Sequence, residues 1–151
     1  MGYAEASITL AASPEKVWAV LNDIARTPEW VTGLTAAEMA TEGTVGAGSA
    51  YRDYNRLGPF RQVTLWRILV FEPLRRQVHV SESAALPSTM TLALAPAGTG
   101  TRLTMSVEYR LLPQLGPIGR LLERVLMNRL LGQVLRDNQL GLERHLAATT
   151  P

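Results

Sequence analysis

GPIGRLLERVLMNRLLGQVLRDNQLGLERHLAA, residues 116–148, is the stretch that decides how the rest of the chain must be arranged. It follows a breaker run, Pro113-Gln114-Leu115-Gly116-Pro117, and then holds no proline. Pro117 suits a first helical position, where its missing N–H leaves nothing unpaired. Leu121, Val125, Asn128, Gly132, Leu135, Gln139, Leu142 and Leu146 recur at alternating spacings of four and three, which keeps them on one stripe of a single helix. At ~1.5 Å per residue such a helix runs to roughly 48 Å, too long to stand without a broad apolar surface beneath it. Leu122, Leu126, Leu130 and Val134 form an adjoining apolar row, which would widen that contact or mark a dimer surface.

The preceding residues read as the surface the helix needs. Tyr3 to Leu10 alternates as a first strand, and Ser13-Pro14-Glu15-Lys16 is a helix start with a serine cap and a proline in the first turn. Asp23 opens a second short helix, with a tight corner at Thr27-Pro28-Glu29-Trp30. Six strands follow, over 34–41, 49–56, 60–71, 76–84, 88–94 and 101–112, each bounded by glycine or proline. Short connections between successive strands imply an antiparallel meander. In the last strand Leu103, Met105, Val107, Tyr109 and Leu111 oppose Arg102, Thr104, Ser106, Glu108 and Arg110, so one face is buried and one is wet. A sheet greasy on one side, closed by a long helix, is a two-layer α+β arrangement, expected as a single domain over 1–151.

Composition narrows the function classes. The chain has 46% hydrophobic and 19% charged residues, the proportions of an ordinary globule. The absence of cysteine excludes disulfides, thiolate metal sites and a thiol nucleophile, and fits a cytoplasmic protein. No secretory signal or membrane-spanning run is expected. The net charge is only +2, and no basic stripe carries interleaved aromatics, so nucleic acid is not an expected partner. His79 and His145 are the only histidines, with no cluster spaced to hold a metal, so neither metal nor cofactor is expected. Nothing marks the chain as either monomer or homodimer.

The order strand, two short helices, six strands, long helix resembles the helix-grip fold of the START-related superfamily, and within it the polyketide cyclase/dehydrase-like branch. The residues that carry the resemblance are Ser13-Pro14-Glu15-Lys16-Val17-Trp18, Thr27-Pro28-Glu29-Trp30 and the Gly46 to Gly48 turn. Trp66-Arg67-Ile68, Phe71-Glu72-Pro73-Leu74-Arg75-Arg76 and Gly100-Thr101-Arg102-Leu103-Thr104 continue it. The resemblance implies a curved seven-stranded antiparallel sheet gripping the C-terminal helix over an internal cavity, in the order β-α-α-β6-α. It also implies a small hydrophobic or aromatic ligand, lipid-, quinone- or polyketide-like, that is bound or carried. Aromatase relatives orient a poly-β-keto chain with a cavity arginine and tyrosines. Arg67 does not match that arginine well, because the landmark tryptophan, here Trp66, favours the opposite strand face inward.

Candidate cavity residues follow. Trp30 and Trp66 either fill the core or wall the cavity, with Met90, Met105 and Tyr109 beside them. Leu121, Val125 and Asn128 come from the helix stripe, where the Asn128 amide would meet a ligand and Gln139, further along, would face solvent. Tyr51 and Asp53 share one face of their strand and Arg52 and Tyr54 the other, and alternation does not choose between them. Glu82 shares a face with Val78 and Val80; if that face is concave, burial raises its pKa and equips it for acid/base work. Glu82, Tyr51 and Asp53 are therefore the catalytic candidates, should the protein be an aromatase/cyclase or dehydratase rather than a carrier. A purely apolar cavity would favour the carrier, and two or more converging polar groups would favour the enzyme. A filled core with a greasy outer helix face would favour an interaction module.

Overall fold

A computed structural model describes residues 2–57, 59–81, 87–110 and 116–149. The elements are β1 (Gly2–Leu10), α1 (Pro14–Asn22), a 3-10 helix (Ile24–Glu29), β2 (Leu34–Met39), β3 (Ala50–Leu57), β4 (Phe60–Glu72), β5 (Arg76–Ser81), β6 (Ser88–Ala97), β7 (Gly100–Tyr109) and α2 (Pro117–Thr149). All seven strands form one antiparallel sheet in the order β1-β7-β6-β5-β4-β3-β2. The meander therefore returns its last strand to the side of its first. Register shifts at Leu34/Ala36 and Ile68/Val70 mark bulges in β2 and β4, which bend a sheet and sharpen its twist.

Local chemistry accounts for the helix starts. Ser13 caps α1 by accepting from the Lys16 N–H at 3.2 Å, and Pro14 occupies the first turn. α2 can approach the 3-10 helix because residue 141 is glycine. A Cβ there would run into the Trp30 carbonyl oxygen, far inside contact distance.

Two apolar clusters fill the space between the layers. One joins Ala4, Ala6, Leu10, Leu92, Leu94, Leu103, Met105 and Val107 of the sheet to Val17, Leu21 and Trp30, and to Leu135, Leu142 and Leu146 of α2. The other gathers Ile24, Leu34, Ala37, Tyr51 and Ile68, with Trp66 and Phe71 packed on it.

The helix stripe is buried only along its second half. Leu135, Gln139, Leu142 and Leu146 are buried, whereas Leu121 and Val125 are 59% and 52% exposed. Lengths explain this. β1 has nine residues, about 30 Å at ~3.4 Å each. From Asn128 to Thr149 the helix covers a similar roughly 33 Å. Asn128 stands at the sheet margin, taking the Tyr3 N–H at 3.3 Å and the Tyr109 hydroxyl. The turns before it overhang the strands.

Gln139 does not face solvent. It is 2% exposed, and its side-chain amide donates to the Ala6 and Leu103 carbonyls at 2.7 and 3.4 Å, tying α2 to β1 and β7. A buried amide must find such partners.

Candidate functional site

Between the two clusters lies a cavity of about 240 Å³. Leu21, Ile24, Thr27, Trp30, Val31, Thr32 and Leu34 line one side; Tyr51, Asp53, Asn55, Thr64, Trp66 and His79 come from β3, β4 and β5. Met90, Leu92 and Met105 form the floor, and Val134, Leu135 and Asn138 of α2 the roof. At ~30 Å³ per water the volume equals about eight waters. It falls below the ~300–1,000 Å³ of drug-sized sites, so the space suits one or two rings rather than a long acyl chain.

The structure decides the face that alternation leaves open. Tyr51 and Asp53 point inward, while Arg52 and Tyr54 reach Glu38 on the outer side. Trp66 is in the wall, and Arg67 lies on the row of Val63 and Leu69, both more than half exposed.

Trp30, Tyr51, Asp53, Trp66, Met90 and Met105 thus come together around one space. Tyr109, Asn128, Leu121 and Val125 do not join them. Tyr109 is buried, but its hydroxyl is turned to Asn128 and the Arg124 carbonyl, which occupies both side chains at the sheet margin. Leu121 and Val125 sit on the overhanging turns. Glu82 lies outside the described residues. Within the described part of β5, Gln77, His79 and Ser81 are buried on the concave face and Val78 and Val80 are less buried on the other side.

His79 is the residue that sequence reasoning sets aside. Its register row across the sheet runs Ile68, His79, Met90, Val107, Ala4, four apolar residues and one imidazole. A polar side chain survives there because it belongs to a chain of hydrogen bonds. Tyr51 Oη lies 2.5 Å from His79 Nδ1, and His79 Nε2 lies 2.8 Å from Gln77 Oε1. Gln77 Nε2 then donates to Asn22 Oδ1 at 2.9 Å, and Asn22 Nδ2 to the Trp18 carbonyl at 2.8 Å. The cross-strand row, which requires the register, is the signal that exposes His79. In the sequence alone Gln77, His79 and Ser81 look like a wet face.

Burial sets the protonation states. Desolvation drives the His79 pKa down to about 4, so the ring is neutral near pH 7. The Tyr51 hydroxyl is pushed well up, by desolvation first and by the charge of Asp53 second. The Asp53 carboxyl rises to about 7 through desolvation, partly offset by a hydrogen bond from the Trp66 side chain.

Three buried polar atoms on the cavity's own residues have no protein partner among the described residues: Trp30 Nε1, Asp53 Oδ1 and Asn138 Oδ1. Buried polar groups seldom go without partners, so a molecule in this space would find a donor in the indole N–H and acceptors in the two oxygens. Among the described residues no three His, Asp or Glu side chains gather closely enough to hold a metal, and no helix is long and apolar enough to cross a membrane.

The profile of the family described as polyketide cyclase/dehydrase and lipid transport matches residues 1–147, and the chain belongs to that family. Its fold is that of START-superfamily proteins. A START superfamily protein from Mycobacterium smegmatis superposes with a TM-score of 0.81 at 16% identity, covering 99% of this chain and 100% of that one. TTHA0849 from Thermus thermophilus gives 0.74 at 20% identity, covering 98% and 99%. The di-domain ARO/CYC BexL from the BE-7585A biosynthetic pathway gives 0.79 at 16% identity, with all of this chain matching 48% of that one. Among curated proteins none matches the sequence.

Proposed function

We propose that the protein binds a small aromatic or polyketide-like molecule in the cavity and moves a proton on it, as an aromatase/cyclase or dehydratase would. The observation that carries this reading is the convergence of Asp53, Tyr51, His79 and Asn138 on a space otherwise walled by tryptophan, methionine and leucine. Apolar walls hold a ring at about 25 cal/mol per Å² buried, before ordering costs are subtracted. A carboxyl whose pKa lies near 7 is suited to take and return a proton at neutral pH. Family membership supports ligand handling in general and leaves the reaction to the site residues.

Dehydration of a β-hydroxytetralone is a fitting test. The carboxylate takes the proton beside the ketone, the β-hydroxyl leaves with a proton as water, and the enone tautomerises to a naphthol. No oxidant is involved. The wild-type chain should accelerate naphthol formation, and Asp53→Asn should slow it by about 100-fold or more, the usual worth of a positioned acid/base group. Absence of acceleration, or indifference to Asp53→Asn, contradicts the proposal. Carriage without chemistry is the second reading, favoured by the floor of Met90, Leu92 and Met105; it predicts saturable binding with no turnover.

A further inference from the structure

We infer that Tyr51 presents its oxygen to the cavity solely as a hydrogen-bond acceptor, so that the position beside it selects a hydroxyl or N–H donor over an ether, quinone or carboxylate oxygen. This deepens the reading above and rests on the same cavity. The hydrogen-bonded chain is fixed from its far end. A backbone carbonyl can only accept, so the Trp18 oxygen, 2.8 Å away, must face the NH₂ of Asn22. That orientation turns Asn22 Oδ1 toward Gln77, whose own NH₂ donates to it at 2.9 Å. Gln77 Oε1 is then left for His79 Nε2, 2.8 Å away, which must carry the ring proton. A neutral imidazole protonated at Nε2 has only a lone pair at Nδ1. The Tyr51 hydroxyl, 2.5 Å from that lone pair, therefore donates its single proton there. What remains on Tyr51 Oη is acceptor capacity.

The ring is neutral because desolvation opposes the charge and its two hydrogen-bond partners, an amide and a phenol, carry no charge to offset that cost. The cavity wall adds to the discrimination. Asp53 contributes a further acceptor beside Tyr51, and no lysine or arginine among the described residues lines the space to receive a carboxylate. Donors stand elsewhere on the wall, in the Trp30 indole N–H, the hydroxyls of Thr27, Thr32 and Thr64 and the amides of Asn55 and Asn138, and would meet an acceptor on another part of the ligand. A hydroxy-ketone or a phenol satisfies both ends. An ether or quinone would leave Tyr51 and Asp53 facing lone pairs.

The test is calorimetric titration of a naphthol, its methyl ether and the naphthoate of the same ring position, at pH 8, where the Asp53 carboxyl is mostly ionised. The naphthol should bind about tenfold or more tightly than the other two, the usual penalty for an unpaired buried acceptor. Tyr51→Phe should bring the naphthol-to-ether ratio down severalfold. Asn22→Ala supplies a readout that a merely structural role would not move. Freed of its partner, the Gln77 amide can reverse, His79 can shift its proton to Nδ1, and Tyr51 can donate, so ether affinity should rise. Equal binding of naphthol and ether to the wild-type chain, or an unchanged ratio in Tyr51→Phe, overturns the inference. Selectivity without tetralone turnover would sink only the reaction proposed above. Failure of all three compounds to bind would sink both.

Discussion

The two halves of the concave face are built on opposite principles. Beneath α2, the strands β1, β7 and β6 offer Ala4, Ala6, Leu10, Leu94, Leu103 and Val107, and the helix answers with Leu142 and Leu146, while Leu135 borders the cavity as well. The polar side chain of α2 buried there, Gln139, is spent on backbone carbonyls. Across β3, β4 and β5 the same face carries Tyr51, Asp53, Asn55, Thr64, Gln77 and His79, and there the helix and the sheet leave a cavity. The first half is where apolar area holds the layers together. The second keeps polar groups in low dielectric, where each needs a partner and where proton affinities move furthest. Stability and chemistry are therefore separable along the sheet.

Substitutions in the closed half should show the largest loss of stability. Leu142 is fully buried against the sheet, and Leu142→Ala should cost about 2–5 kcal/mol in urea denaturation, with ligand affinity corrected for folded fraction nearly unchanged. A change of affinity comparable to the loss of stability would show that the two halves are coupled.

Next in size are the pH effects of the polar half, and they oppose each other. His79 has its pKa lowered from 6.5 to about 4, so its contribution to stability is complete above pH 6.5 and is lost as pH falls toward 4. Asp53 has its pKa raised from 3.8 to about 7, so its contribution is complete below pH 3.8 and is lost as pH rises through 7. Between pH 4 and 6.5 the two slopes have opposite sign, and the wild-type chain should show little net dependence from this pair. Asp53→Asn should leave stability rising with pH over that interval. His79→Asn should leave it falling toward pH 7. Urea midpoints measured in steps across the range would check both, and parallel profiles for the two variants would refute the assignment.

The smallest effect belongs to the overhang. Leu121→Ala and Val125→Ala, on helix turns beyond the strands, should change stability by about 0.5 kcal/mol or less, in contrast to Leu142→Ala on the same helix. A loss of about 2 kcal/mol at either position would show that those turns are covered in solution.

This contrast also explains what can be read in advance. The closed half follows from pattern: the three-and-four spacing of Leu135, Leu142 and Leu146 and the alternation of Leu103, Met105 and Val107 both mark apolar faces, and burial follows polarity. The overhang is not legible, since whether Leu121 is covered depends on strand length rather than on helix period. The polar half defeats the same reasoning. Gln77 and His79 alternate as a solvent face would, and only the register, which sets His79 between Ile68 and Met90, shows that they are inside. Asn22 and Asn138 carry no periodic signal and become part of the site only when distant elements meet. Tyr51 and Asp53 are recognisable as a pair, but choosing between that pair and Arg52 with Tyr54 requires knowing which way β3 faces.

Titration of a naphthol into the wild-type chain and into Thr64→Trp, followed by calorimetry, tests the cavity most directly. Thr64 is buried in the wall beside Asp53 in the strand pairing, and an indole there would occupy the space. The account predicts saturable one-site binding to the wild-type chain and none to the variant, with matching circular dichroism. Equal binding to both, or to neither, would contradict it.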